Sequence, residues 1–235
     1  VVGTPIPNPD PAAPFAIVEL FTSEGCNTCP PADDVLATIG ETHLGVRVFP
    51  IAFHVDYWDY LGWPDKFASK VFTDRQKAYA TAHKATQIYT PHMLVNGTNA
   101  KVSVSAINSQ IAAALAAPIT VSTTIWLEHN AQGTMVNYRV EGAPAKARLH
   151  VALVERGLST DVLKGENHGK TLKHENTVRA YTKIEVGLAA IDNGQVTLEV
   201  PADVVIGNSS IVGFVQTASD MKFQGATLIS AEIPQ

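Results

Sequence analysis

At 235 residues, 46% hydrophobic and 17% charged, the chain is long enough to bury a core without help from disulfides. Its net charge of −5 argues against a nucleic-acid binder, which would present a basic face. No apolar run approaches the about 18 residues of a membrane helix, so no span is expected.

Residues 1–12, rich in proline and small side chains, read as an extended lead-in. FAIVELFT (15–22) is apolar and β-branched enough for a buried strand. Cys26 and Cys29, the only cysteines, follow it. PPADDVLATIGETH then spaces Val35, Leu36 and Ile39 as on a helix, with Asp33 and Asp34 in its first turn and Gly40 near its end. Because Cys29 precedes Pro30, it is biased away from helical geometry, and the regular helix is expected from Pro31. VRVFPIAFHVD (46–56) is nearly continuous in apolar residues and predicts a central strand covered on both faces. An aromatic loop, HVDYWDYLGWPD (54–65), leads to an amphipathic helix over 66–84, with Phe67, Val71, Phe72 and Tyr79 on its apolar side. YTPHMLVNG (89–97) reads as a strand ending in an Asn96-Gly97 hairpin turn. KVSVS (101–105) is expected to return as an edge strand, before a helix over 105–117 with Ser105 as N-cap.

Pro118 ends this βαβαββα series. Beyond it come alternating runs, among them ITVSTTIWLEH, GTMVNYRVEG, ARLHVALVE, TKIEVG, QVTLEV and SIVGFVQ, punctuated by Gly, Pro, Asn and Asp. That pattern predicts an antiparallel β-sandwich.

A Cys-x-x-Cys after a strand and at the mouth of a helix reads as a thioredoxin-like redox motif. Two intervening residues let the sulfurs close a small ring and reopen it, and helix N-terminal dipoles favour a thiolate on an exposed first cysteine. Thr90-Pro91 opens the strand where such folds carry a cis-proline, and Glu19, on the strand feeding the motif, is a candidate proton shuttle to Cys29. Glu24, Asp33 and Asp34 stand near the pair and no Lys or Arg lies between 15 and 46, so the thiol is expected to be less acidic than in strong oxidants.

Rival readings use the same residues. Cys26, Cys29, His54 and His92 form an acceptable ligand set for zinc, or for copper with Met93, although no second Cys-x-x-Cys and no compact His-x₃₋₅-His is present. The pair can also be a structural staple, since its short ring removes little chain entropy. The aromatic loop is either a hydrophobic cap or a surface on which Asp56, Tyr57 and Trp58 orient a substrate. GENHGKTLKHENTVR is a polar connection that either serves the sandwich alone or packs on the first domain.

The motifs VELFTSEGC-x-x-CPPAD, AFHVDYWD-x-LGW, RQ-x-AYA, YTP-x-M-x-VNG and GENHGKTLKHENTVRAY together resemble the exported bacterial proteins grouped as domain of unknown function 1223. The resemblance implies a thioredoxin-like domain followed by a β-rich half, with Cys26 and Cys29 as the redox pair and Pro91 as the cis-proline. Two features depart from ordinary thioredoxins: Glu24-Gly25 stands where a Trp usually precedes the first cysteine, and Glu19 lies one residue further from the motif. The expected organisation is a lead-in (1–12), an α/β thioredoxin-like domain with a helical insertion (13–118) and a β-sandwich (119–235).

The expected function is thiol–disulfide exchange on protein or peptide thiols. Cys26 attacks, Cys29 resolves, Pro91 and Thr90 shape the substrate contact, and other proteins act as redox partners. No organic cofactor is implied, since no Gly-rich phosphate loop appears. The alternative is a non-enzymatic thioredoxin-fold protein that binds a partner or a metal. Paired cysteines fit an oxidising compartment, so the chain is expected to be periplasmic or extracellular with its signal peptide removed.

Overall fold

The computed structural model describes residues 10–130 and 133–232. The lead-in expected over 1–12 lies outside the described residues as far as residue 9. In chain order the elements are β1 (Ala16–Thr22), α1 (Pro30–Thr42), β2 (Val48–His54), α2 (Lys70–Ala82), β3 (His92–Val95), β4 (Thr98–Ala100) and α3 (Val104–Leu115). Strands follow: β5 (Ser122–Asn130), β6 (Gly133–Glu141), β7 (Ala147–Glu155), β8 (Leu158–Asp161), β9 (Thr171–His174), β10 (Thr177–Val186), β11 (Ile191–Thr197), β12 (Ser209–Thr217) and β13 (Phe223–Ser230). No helix among the described residues is long and apolar enough to cross a membrane.

The fold is mixed α/β, and the chain divides into two compact units. One, the cysteine-bearing unit, comprises Ala16–Leu115 and Arg156–Val178; the other comprises the residues up to Phe15, Ala116–Glu155 and Arg179 onward. This differs from the single boundary expected near 118, because 156–178 lies with the cysteines. Asn176 accepts a hydrogen bond from the Ala52 amide at 2.8 Å, and Thr177 lies parallel to Ala52. The chain therefore re-enters the first unit's hydrogen-bonding scheme after an excursion of some forty residues, from Ala116 to Glu155.

In the cysteine-bearing unit β1 is central, parallel to β2 and antiparallel to β3, which pairs antiparallel with β4. All of β1 is buried, so both faces are covered. Ala16, Val18 and Leu20 pack with Leu36 and Ile39 of α1 and with Ile107 and Ile111 of α3. The alternate residues face the other way, as the period of a strand requires; Phe21 meets Phe53 and Tyr79, the latter on α2. The β3–β4 turn uses Asn96 and Gly97 at φ 43° and 80°, the left-handed pair of a type I′ hairpin, and Asn96 Oδ1 accepts the Ile17 amide at 2.7 Å.

Local punctuation departs from expectation at three places. The return strand is 98–100 rather than 101–105, since a two-residue turn leads directly into it. Ser103, not Ser105, accepts the Ala106 amide at the start of α3. α2 begins at Lys70, capped by Ser69, and leaves Val71 49% exposed, whereas Phe67, Phe72 and Tyr79 are buried.

The other unit is built of strands. β12 lies antiparallel to both β7 and β13, and β6 antiparallel to both β5 and β11. Val136, Val140, Leu149, Val151, Ile211 and Val215 share one core contributed by both sets. A Cβ on Gly225 would lie 2.6 Å from Thr123 Oγ1 and 2.7 Å from the Val121 carbonyl, so glycine permits the close approach there.

Candidate functional site

After β1 the chain turns tightly. The Cys26 amide donates to the Ser23 carbonyl at 3.1 Å, and the Cys29 amide to the Cys26 carbonyl at 3.3 Å. The Cys29 carbonyl in turn accepts the amides of Ala32 at 2.8 Å and Asp33 at 3.1 Å. These bonds hold Cys29 at φ −78°, ψ −38°, in the helical region that the following proline disfavours, so α1 starts at Pro30 rather than Pro31. Cys26 and Cys29 form a disulfide with Cα atoms 5.4 Å apart. Both are buried, at 1% and 0% exposure, while Asn27 and Thr28 between them are exposed. The first cysteine is thus covered where an exposed one was expected.

Thr90–Pro91 is a cis peptide bond. Trp58 connects its loop to the cysteine loop. The indole Nε1 donates to Thr90 Oγ1 at 2.8 Å, and a Cβ on Gly25 would lie 2.9 Å from Trp58 Cβ. Tyr57 donates to Gln76 Oε1 at 3.2 Å, and Gln76 donates to the Tyr89 carbonyl at 2.7 Å. Burial pushes the Tyr57 hydroxyl up to about 12. Asp56 accepts from Thr73 Oγ1 at 2.5 Å. These three residues spend their polar atoms on α2 and on the proline loop, as a packed cap does.

Glu19 does not reach towards the cysteines. It is buried on the α2 side, where Arg75 donates to it at 2.6 and 2.7 Å and the Tyr79 hydroxyl donates to its other oxygen. The carboxyl on the cysteine helix that turns back to β1 is that of Asp33. It lies four residues after Cys29, on the same helical face, and accepts from Thr22 Oγ1 at 3.1 Å. Burial pushes its pKa up to about 7; His54 pulls down, and Asp65 and Asp34 push up.

Beside the motif lies a buried polar cluster of Glu24, Trp63, Asp65, His54 and His174. Glu24 accepts from Trp63 Nε1 at 2.8 Å and pairs with His174 Nε2 at 3.0 Å, and its amide donates to Asp65 at 2.9 Å. Asp65 also holds His54 Nδ1 at 2.7 Å. Burial opposes the charged form of His54, yet the charge and hydrogen bond of Asp65 carry its pKa above the ordinary value. Burial holds His174 below it. His54 Nε2 and His174 Nδ1 have no partner among the described residues. His92 is placed elsewhere, bonded to Asn99 Oδ1 at 2.9 Å, and burial lowers its pKa. No group of three or more His, Cys, Asp or Glu among the described residues is arranged to hold a metal. The set Cys26, Cys29, His54 and His92 is therefore not assembled, and its sulfurs are bonded to each other.

The start of the polar stretch 165–179, the loop before β9, does lie against the motif. Asn167 donates to the carbonyls of Glu24 at 2.8 Å and Cys26 at 3.0 Å, and Glu166 accepts the Asn27 amide at 3.2 Å. Sequence reasoning singled out the polar character of this loop, but no spacing rule connects Asn167 to Cys26 across 141 positions.

A family model described as a protein of unknown function (DUF1223) matches residues 17–216. The chain belongs to that family. A crystal structure of a protein from Agrobacterium tumefaciens, determined as a structural-genomics target, is similar at 28% identity and a TM-score of 0.69, covering 95% of this chain and 97% of that one. HBP35 of Porphyromonas gingivalis is similar in fold, with a TM-score of 0.66 at 16% identity over 93% of this chain and 75% of that one. A search of curated proteins finds no match.

Proposed function

We propose that this DUF1223 protein is a thiol–disulfide oxidoreductase of thioredoxin-like architecture, acting on protein or peptide thiols in an exported, oxidising setting. The observation that carries the reading is the Cys26–Cys29 disulfide at the N-terminus of α1, tied through Trp58 to the Thr90–Pro91 loop. The strand order β2-β1-β3-β4, with helices on both faces, supports the thioredoxin-like assignment. The antiparallel strands of the other unit, which share one core, support reading that half as a β-sandwich.

In this mechanism a substrate thiolate attacks Cys26 Sγ. The Cys26–Cys29 bond breaks, its electron pair passes to Cys29, and Asp33 supplies the proton that Cys29 takes up. A second substrate thiolate then displaces Cys26 from the mixed disulfide. The substrate dithiol has lost two electrons and two protons, and the pair has gained them. The reverse sequence reduces a substrate disulfide, with Cys26 attacking and Cys29 resolving, and a partner protein dithiol restores the pair. Glu19 serves the core through Arg75 and Tyr79, and the proton role assigned to it passes to Asp33. Pro91 and Thr90 border the substrate, and Trp58 holds them in place.

A second reading draws on the burial of both cysteines: a non-enzymatic binding protein in which the disulfide is a staple. Insulin reduction by wild type and by Cys26→Ser, under a dithiol reductant, separates the two. The exchange reading expects turnover in wild type and background in the variant, and equal rates refute it.

A further inference from the structure

The disulfide is covered by residues distant in sequence. Between β8 and β9, residues 162–170 cross the Cys-Asn-Thr-Cys turn. Asn167 is fully buried and spends both amide N–H groups on backbone carbonyls of that turn, those of Glu24 and Cys26. Lys170 Nζ donates to Asn167 Oδ1 at 2.9 Å and fixes the orientation of the amide. Glu166 takes the N–H of Asn27, the residue next to Cys26.

The rest of the segment is weakly held. Residues 163, 164, 166 and 168–171 are exposed, Leu163 at 67%, and Val162 is its buried apolar anchor. Gly165 and Gly169 stand at φ 77° and 81°, conformations open to glycine at little cost. The segment closes on itself through four backbone bonds, a pair between Val162 and its far end (Val162 amide to Lys170 carbonyl at 2.9 Å, Gly169 amide to Val162 carbonyl at 2.8 Å) and two local turns (His168 amide to Gly165 carbonyl at 3.2 Å, Lys170 amide to Asn167 carbonyl at 3.1 Å), so it can move as one piece about its ends. A segment joined to its surroundings by a few polar bonds opens more readily than a strand of the core. When it lifts, water satisfies the freed carbonyls, so the net cost is far below the gross strength of the bonds.

We propose that residues 163–170 form a gate over Cys26, pinned by Asn167 and steadied by Glu166, and that exchange at the disulfide requires the gate to open. The proposal rests on the redox reading of the pair. Asn167 is a positioning residue: it touches the turn that carries Cys26, not the reacting sulfur.

The test is the rate at which dithiothreitol reduces the oxidised protein, followed by trapping the freed thiols. Asn167→Ala leaves two carbonyls unpaired in the closed form alone and is expected to react about tenfold faster. Glu166→Ala, at an exposed position, is expected to react about two- to threefold faster with an unchanged melting temperature. In wild type the rate should be nearly flat over low urea concentrations, since opening the segment exposes little surface. Wild-type rates in both variants overturn the gate. So does a wild-type rate that climbs with urea as steeply as global unfolding. Should Asn167→Ala not fold, Glu166→Ala and the urea series decide alone. The two claims fail separately. Faster dithiothreitol reduction in the variants, with insulin turnover no greater than in Cys26→Ser, keeps the gate and removes the enzyme. Insulin turnover with no variant effect does the reverse.

Discussion

Asp33→Asn isolates one half-buried carboxyl. In the folded protein burial raises the Asp33 pKa from 3.8 to about 7, against the pull of His54. The unfolded chain releases this proton near pH 4 and the folded protein near 7. Between those values the unfolded state binds fewer protons, so the contribution of Asp33 to stability is fully present below pH 4 and is lost as pH rises through 7. Three pKa units at about 1.4 kcal/mol each set a ceiling of about 4 kcal/mol. Asp33 is half-buried as a residue, and solvent screening there reduces the expected loss to about 2–3 kcal/mol. Asparagine keeps an oxygen to accept from Thr22 and cannot ionise. Urea unfolding of the oxidised forms at about pH 4, 6 and 8 gives the difference, because titrating groups other than its charge partners His54, Asp65 and Asp34 cancel between variant and wild type. The variant should match wild type at the acid end and exceed it by about 2–3 kcal/mol at the alkaline end. A difference independent of pH, or a variant weaker than wild type at pH 8, refutes both the burial argument and the assignment of Asp33 as the group titrating near neutrality.

Two further substitutions probe the frame of the site. Glu19→Gln leaves the Arg75 guanidinium buried without its counter-charge, at 3% side-chain exposure, and should cost about 3–5 kcal/mol in urea unfolding; a loss below about 1 kcal/mol would mean that the pair is not paired in solution. Gly25→Ala places a methyl 2.9 Å from Trp58 Cβ and 3.3 Å from its carbonyl. It should cost about 1–3 kcal/mol and shift the tryptophan emission as the indole leaves Thr90, whereas an unchanged spectrum and stability would show that the two loops are not in contact.

Much of the cysteine-bearing unit can be read from local pattern. The continuous apolar run of β1 announces burial on both faces, Asn96-Gly97 announces a hairpin, and Pro30-Pro31 announces a helix start to within one residue. These signals are local because backbone sterics and side-chain period act over a few residues. Elsewhere competing local signals mislead. The apolar spacing that suggested helix from 66 runs through a turn closed by the Ala68 amide on the Asp65 carbonyl, and Ser69 supplies the actual cap. Strands β8, β9 and β13 escape the pattern because each alternates weakly or carries exposed polar residues.

The partners of the charged residues illustrate the boundary most clearly. Glu19 and Glu24 both precede the cysteines on one short stretch, and neither acts there as proximity suggests. Glu19 is drawn to Arg75, 56 residues on, and Glu24 to His174, 150 residues on. A buried carboxylate goes where a donor lies within hydrogen-bond distance, and that is settled by how the helices and the 156–178 segment pack. By itself the sequence determined that two cysteines stand within reach of a short ring between a buried strand and a helix start, because covalent reach and backbone preference are local. The tertiary structure decided that the ring is buried, that Glu19 is taken by Arg75 while Asp33 turns to Thr22, and that Asn167 is bonded to the turn that carries Cys26, because burial and pairing depend on residues that meet only when the chain has folded.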